Sequence, residues 1–159
     1  MAMKDDPRLE RLPPSAMHLL HRAGQCADEL FAENMGKSDL TPRQFAVLKA
    51  VALANDPSQT MLVEMTGIDR STLADIVARL VSRGLLQRRR TRLDARMYAV
   101  KLTDQGMEAI AAAEPAVNAT DDRIMSVIPH SQRAEFIAVL EGIVDHLKVK
   151  GGAKTSSAA

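Results

Sequence analysis

Thr66-Gly67-Ile68-Asp69-Arg70-Ser71-Thr72-Leu73 runs through Ala74–Arg79 into Leu80-Val81-Ser82-Arg83-Gly84-Leu85-Leu86. Gly67 stands where a helix before it would need a left-handed residue to stop. Asp69 stands where a helix after it needs an acceptor for its first free N–H groups. Leu73, Ile76, Val77, Leu80 and Val81 then recur at three- and four-residue spacing and make one apolar stripe, and Gly84 closes it. With a short helix expected over about Met61–Thr66, residues 60–84 read as helix, tight turn, helix, each ended by glycine. That is the helix-turn-helix pattern.

Toward the C-terminus the period changes. Gln87–Thr91 is basic, Arg92–Ala95 is a turn candidate, and Met97–Leu102 alternates at period two. Two short strands around a basic loop predict a β-hairpin, and a hairpin directly after the second helix is a wing. Thr103 is placed to cap a long helix reaching about Ile128, with Pro115 near its middle, where proline kinks or splits a helix. Pro129 precedes a last helix, about Ser131–Lys148. Its Phe136, Ile137, Val139, Leu140, Ile143, Val144 and Leu147 form an apolar arc too wide for one neighbour, so it needs cover on more than one side.

Toward the N-terminus, Thr41-Pro42-Arg43-Gln44 is a helix start: Thr41 caps, Pro42 fits the first helical position and Gln44 returns the capping-box bond. Ahead of it, Pro13 and Pro14 open an amphipathic stretch with Leu19, Leu20, Ala23, Cys26, Ala27, Leu30 and Phe31 on one side, ended by Gly36.

Composition narrows the function. The 159 residues are 46% apolar and 26% charged, which is ordinary globular material. Aromatics are 3% with no Trp, too few for a platform that stacks single-stranded bases. A single cysteine excludes an intramolecular disulfide and any multi-cysteine metal site. His18 and His21 lie near Cys26, but His130 and His146 are distant, so no metal and no cofactor is expected. No apolar run approaches the ~20 residues of a membrane span and no signal peptide is visible, so the expected location is cytoplasmic. No phosphate loop, nucleophile elbow or paired acidic motif suggests an enzyme.

Net charge is only +1, but nine basic residues and two acids between Arg70 and Lys101 give that stretch +7 and leave −6 for the rest. A neutral chain with one concentrated basic stretch is built to set that stretch against something anionic.

Five segments, taken in order, resemble the multiple-antibiotic-resistance-regulator (MarR) family of transcription factors. They are Leu40-Thr41-Pro42-Arg43-Gln44-Phe45, Thr66–Leu73 across the turn, Leu80–Leu86, Asp94-Ala95-Arg96, and Leu102-Thr103-Asp104-Gln105-Gly106. The fit spans residues 13–148. The resemblance implies a mainly α fold, a winged helix-turn-helix domain with long N- and C-terminal helices forming a homodimerisation region. The expected organisation is a flexible N-terminus over 1–12, a dimerisation helix over 13–40, the DNA-binding domain over 41–102, C-terminal dimerisation helices over 103–148, and a disordered tail over 149–159. The implied partners are double-stranded DNA, a second copy of the chain and a small-molecule effector. The implied function is a regulator, a repressor of a palindromic operator, released by an aromatic carboxylate or aryl-coenzyme A thioester.

Site residues follow. Arg70, Ser71 and Thr72 open the recognition helix, where they reach base edges or grip phosphates. Asp75, one turn on, either accepts from a cytosine amino group or orients Arg70 or Arg79, and Arg79 is itself expected on the DNA-facing side of the helix. In the wing, Arg88, Arg89, Arg90 and Arg92 are expected on phosphates. The resemblance puts Arg96 in the minor groove with Asp94 holding it, where the narrow groove concentrates negative potential. For the effector, His18, Arg22 and Gln25 lie along one side of the first helix. Arg22 there either meets a carboxylate on an apolar body or pairs with Asp28, Glu29 or an acid across the dimer. Cys26, within an apolar stripe, is expected as a buried inert thiol, the alternative being a redox-sensing regulator that works through it. A dimeric adaptor that binds another protein rather than DNA is the remaining alternative.

Overall fold

The computed structural model describes residues 15–36, 38, 40–54, 56–90 and 98–148. In chain order they form α1 (Ala16–Met35), α2 (Pro42–Leu53), α3 (Gln59–Thr66), α4 (Arg70–Ser82), β1 (Leu86–Arg90), β2 (Tyr98–Leu102), α5 (Asp104–Met125), a 3-10 turn (His130–Gln132) and α6 (Arg133–Leu147). The chain divides after Thr120 into two compact units.

Local chemistry fixes the helix boundaries in the first unit. The Thr41 hydroxyl accepts from Gln44 N–H and the Gln44 side chain accepts from Thr41 N–H, each at 3.2 Å, a complete capping box with Pro42 in the first turn. Helix α3 starts two residues earlier than the sequence suggests, because Ser58 caps it by accepting from Met61 N–H. Gly67 ends it at φ 68°, ψ 7°, the left-handed conformation that costs glycine nothing.

The core lies where α2, α3 and α4 meet the hairpin. Val47, Leu48, Leu62, Leu73, Val77 and Leu80 are fully buried there, with Leu86 and Val100 from the strands. Each such side chain contributes about 1.5–3 kcal/mol relative to exposure. The strands pair antiparallel, Leu86 opposite Leu102 and Arg90 opposite Tyr98. Leu86 and Val100 turn into the core while Arg88, Arg90 and Tyr98, farther out on the same face, stay exposed. Val100 N–H also donates to Pro57 O at 3.0 Å, so the start of α3 is tied to the wing. The turn expected at Arg92–Ala95 lies outside the described residues, as do the expected flexible N-terminus and disordered tail.

A second set of bonds ties the end of α4 to the start of α5. The Thr103 hydroxyl donates to Gly84 O at 2.6 Å and accepts from Gly106 N–H at 3.0 Å, so Thr103 caps α5 as expected. Thr103 N–H donates to Leu85 O at 3.2 Å. Helix α5 then runs through Pro115 as one helix to Met125, not split there. The missing N–H is outweighed by what the helix buries on both sides of it, Ile110, Ala113, Ala116 and Thr120. Asn34 donates to the Thr120 hydroxyl at 3.2 Å, joining α1 to α5, and Lys49 meets Glu114 at 2.8 Å, joining α2 to α5.

Helix α1 is largely uncovered. Phe31 is its one buried residue among those described, and Leu19 and Leu20 are exposed. Cys26 is exposed too, which corrects the expectation of a buried thiol. The apolar stripe exists, but among the described residues of its own unit nothing lies over that part of it. In the second unit α6 buries no residue, and Val139, Val144 and Leu147 are 52%, 58% and 64% exposed. A 3-10 turn behind Pro129 precedes it, where the sequence reading began the helix at Ser131.

Candidate nucleic-acid interface

Helix α4 opens on Asp69, whose carboxylate accepts from Thr72 N–H at 2.9 Å and from the Ser71 hydroxyl at 2.7 Å. Those bonds, Thr72's first and Ser71's after, hold the Asp69 carboxyl well below the usual carboxylate range. The first turn is therefore pinned from inside: Ser71, expected to face a partner, spends its proton on the cap. Arg70 turns back toward α3, its Nη2 donating to Thr60 Oγ1 at 3.3 Å. Thr72 is half-buried, while Asp75 and Arg79 are exposed farther along the helix. Among the described residues no hydrogen bond or ion pair joins Asp75 to Arg70 or Arg79.

Beside Arg70 a cleft of about 730 Å³ is walled by α3, α4 and the wing, with Thr60, Arg70, Arg88 and Tyr98 on its lining. Arg88 and Arg90 share one face of β1, and Arg89 occupies the other face with Lys101 across from Gln87. All three arginines are exposed. The structure thus brings Arg70 and Arg88 to one cleft, leaves Asp75 and Arg79 along the open side of α4, and places Arg89 apart. Arg92, Asp94 and Arg96 lie outside the described residues. Sequence reasoning missed Thr60 and Tyr98. The signal for Tyr98 was the alternation over Met97–Leu102, which puts it on the face of Val100 but beyond the core.

The effector candidates lie on α1. His18 is half-buried while Arg22 and Gln25 are exposed, and Arg22 Nη1 donates to Gln25 Oε1 at 3.5 Å, so two of the three meet. A separate, mostly apolar cleft of about 610 Å³ lies between the end of α2, β2 and the start of α5, floored by Val51, Val100 and Ile110. Among the described residues no three His, Cys, Asp or Glu side chains converge to hold a metal ion, and no helix is long and apolar enough to cross a membrane.

Residues 38–97 match the family model described as MarR family. The transcriptional regulator HosA of Escherichia coli O157:H7 is 28% identical over 134 residues, covering 81% of this chain and 99% of HosA. Among solved structures, BpsR of Bordetella bronchiseptica, whose DNA binding is regulated by 6-hydroxynicotinic acid, superposes with a TM-score of 0.80 at 26% identity, covering 86% of this chain and 97% of BpsR. The transcriptional repressor CouR bound to a 23-mer DNA duplex superposes with a TM-score of 0.75 at 28% identity, covering 82% of this chain and 92% of CouR.

A recognition helix with a pinned first turn, a basic hairpin beside it and long flanking helices define a winged helix-turn-helix transcriptional regulator that binds DNA. The match over residues 38–97, with the similarity to HosA and BpsR, supports a regulator of the MarR family.

Proposed function

We propose that the chain is a repressor that holds a palindromic duplex operator as a homodimer and releases it on binding an aromatic carboxylate or its coenzyme A thioester. The observation that carries this reading is the grouping of Arg70, Arg79, Arg88 and Arg90 on exposed positions of α4 and β1, within a stretch of net charge +7. A two-fold dimer would present two such faces to successive half-sites about one helical turn apart. The uncovered apolar residues of α1 and α6 supply the surface for that second copy. The likeness to BpsR supports an aromatic acid as effector, and the likeness to CouR supports duplex DNA as target.

The effector is assigned to Arg22, with His18 and Gln25 beside it. Arg22 has a neutral partner in Gln25, which leaves its charge for a carboxylate. Release requires that the effector bind the DNA-free arrangement better, and a hundredfold loss of operator affinity takes about 2.7 kcal/mol of such difference.

Salt titration tests the DNA reading. If a dimer neutralises on the order of 8–12 phosphates, the log–log slope of operator affinity against salt is about −7 to −11. A slope near −2 sinks the assignment of the basic face to DNA and leaves the adaptor reading. The exposure of Cys26 favours one second reading, a thiol switch. Release of the operator by peroxide, abolished by Cys26→Ser, would select it over the small-molecule effector.

A further inference from the structure

We propose that Arg70 grips a backbone phosphate rather than reading a base, and that Thr60 is the positioning residue that sets it there. The proposal rests on the DNA-binding reading above and assigns the role of one arginine within it. A side chain in the first turn of a recognition helix stands where base edges are read, and Arg is the residue suited to guanine O6 and N7. Such reading needs the guanidinium fork free to project along the helix axis into the groove. Here Nη2 of Arg70 is tied to Thr60 Oγ1 at 3.3 Å, on the preceding helix and ten residues back in the chain. That bond draws the fork off the groove-facing end of α4 and over the cleft that Arg88 and Tyr98 wall from the wing.

The cleft's charge says what it takes. Two guanidinium-bearing residues line it and, among the described residues, no carboxylate does. Arg70's hydrogen-bond partner is a neutral hydroxyl, so nothing within the cleft offsets the pair. Two like charges facing one space favour an anion between them. The Tyr98 hydroxyl, on a residue 50% exposed, adds a neutral donor of the kind that phosphate oxygens accept. A phosphodiester crossing from α3 to the wing fits this set; a base edge, which offers guanine's two acceptors in one plane, would use neither Arg88 nor Tyr98. The order of bases is then read farther along α4, by Thr72, Asp75 and Arg79.

The test uses duplexes selected from a random-sequence pool by the wild-type protein, each then varied one base pair at a time. Arg70→Ala is expected to weaken binding by one common factor across all the variants and to make the salt slope shallower by about 2 per dimer, one per protomer. Thr60→Val is expected to weaken binding about 3- to 10-fold, again uniformly, with Thr60→Ser restoring it to within about twofold. If Arg70→Ala instead relaxes preference at one base position, Arg70 is a base reader and the proposal falls. It also falls if Thr60→Val binds as the wild type does. Should the wild type select no duplex at all, the DNA reading itself fails, an outcome distinct from either.

Discussion

The hydroxyl oxygen of Thr103 lies 2.6 Å from the carbonyl oxygen of Gly84, to which it donates, and takes the N–H of Gly106 at 3.0 Å on its free lone pair. One side chain thus closes the end of the recognition helix and opens the long helix α5. The arrangement needs Gly106 for space: a Cβ there would collide with the carbonyl oxygen of Leu85 and lie 2.8 Å from Leu102 Cδ1.

Gly106→Ala is therefore expected to destabilise the chain by at least about 1–3 kcal/mol, the usual cost of forcing atoms into a packed site. Urea unfolding of the purified protein measures it. A variant as stable as the wild type would mean that the Leu85 carbonyl gives way without cost.

Asp69 gives a pH signature. Its carboxyl, about 3.8 in an unfolded chain, is held well below that by Thr72 and Ser71. A depressed carboxylate contributes fully above the unfolded value and loses its contribution as pH falls toward the folded one. Asp69→Ala should lower the melting temperature at pH 7, and the gap to wild type should narrow below about pH 4. An equal gap at pH 3 and pH 7 would assign the loss to something other than the charged cap.

Val144, Ile137 and Leu140 line an exposed apolar cleft on α6. In the dimer reading, Val144→Asp should leave the helical circular-dichroism signal in place while converting dimer to monomer in sedimentation. Because a monomer presents one half-site reader, operator affinity should drop by more than tenfold on the scale of lost bivalency. An intact dimer would move the interface off this face of α6.

Asp94 and Arg96 are predicted from the family resemblance alone. Arg96→Ala should cost about 1–3 kcal/mol of operator binding without unfolding. If Asp94 orients Arg96, the double variant costs less than the two single losses added. Additive losses would separate the two roles.

Arg22→Ala should keep operator binding nearly intact and blunt the response to aromatic acids or acyl-coenzyme A esters found by thermal shift. A variant that responds at the wild-type concentration returns Arg22 to a structural part.

What could be read from the chain was what short-range bonds decide. The Thr41–Gln44 box, the Gly67 stop and the Asp69 cap each involve residues two to four apart, and each stands as the sequence suggested. What escaped depends on distance in space. Arg70 and Thr60 belong to different helices, and only the turn between those helices brings them together. Gly106 looked like a motif residue; its reason is a carbonyl twenty-one positions away. Cys26 sat in an apolar stripe, yet burial needs a covering element and not only a stripe. Pro115 argued for a kink or a split, and the helix is not split there, because one proline weighs less than the buried residues of a 22-residue helix.

A helix that buries none of its own residues makes folding a question of abundance. In the dimer reading, Val139, Val144 and Leu147 reach a dry environment only when another copy arrives, so mass action enters the stability of α6. Dilution alone should lower the melting temperature, and added protein should raise it, with no change in buffer. A cell holding few copies would then have neither paired reading heads nor fully stable chains, and repression would set in as a threshold in copy number rather than in proportion to it.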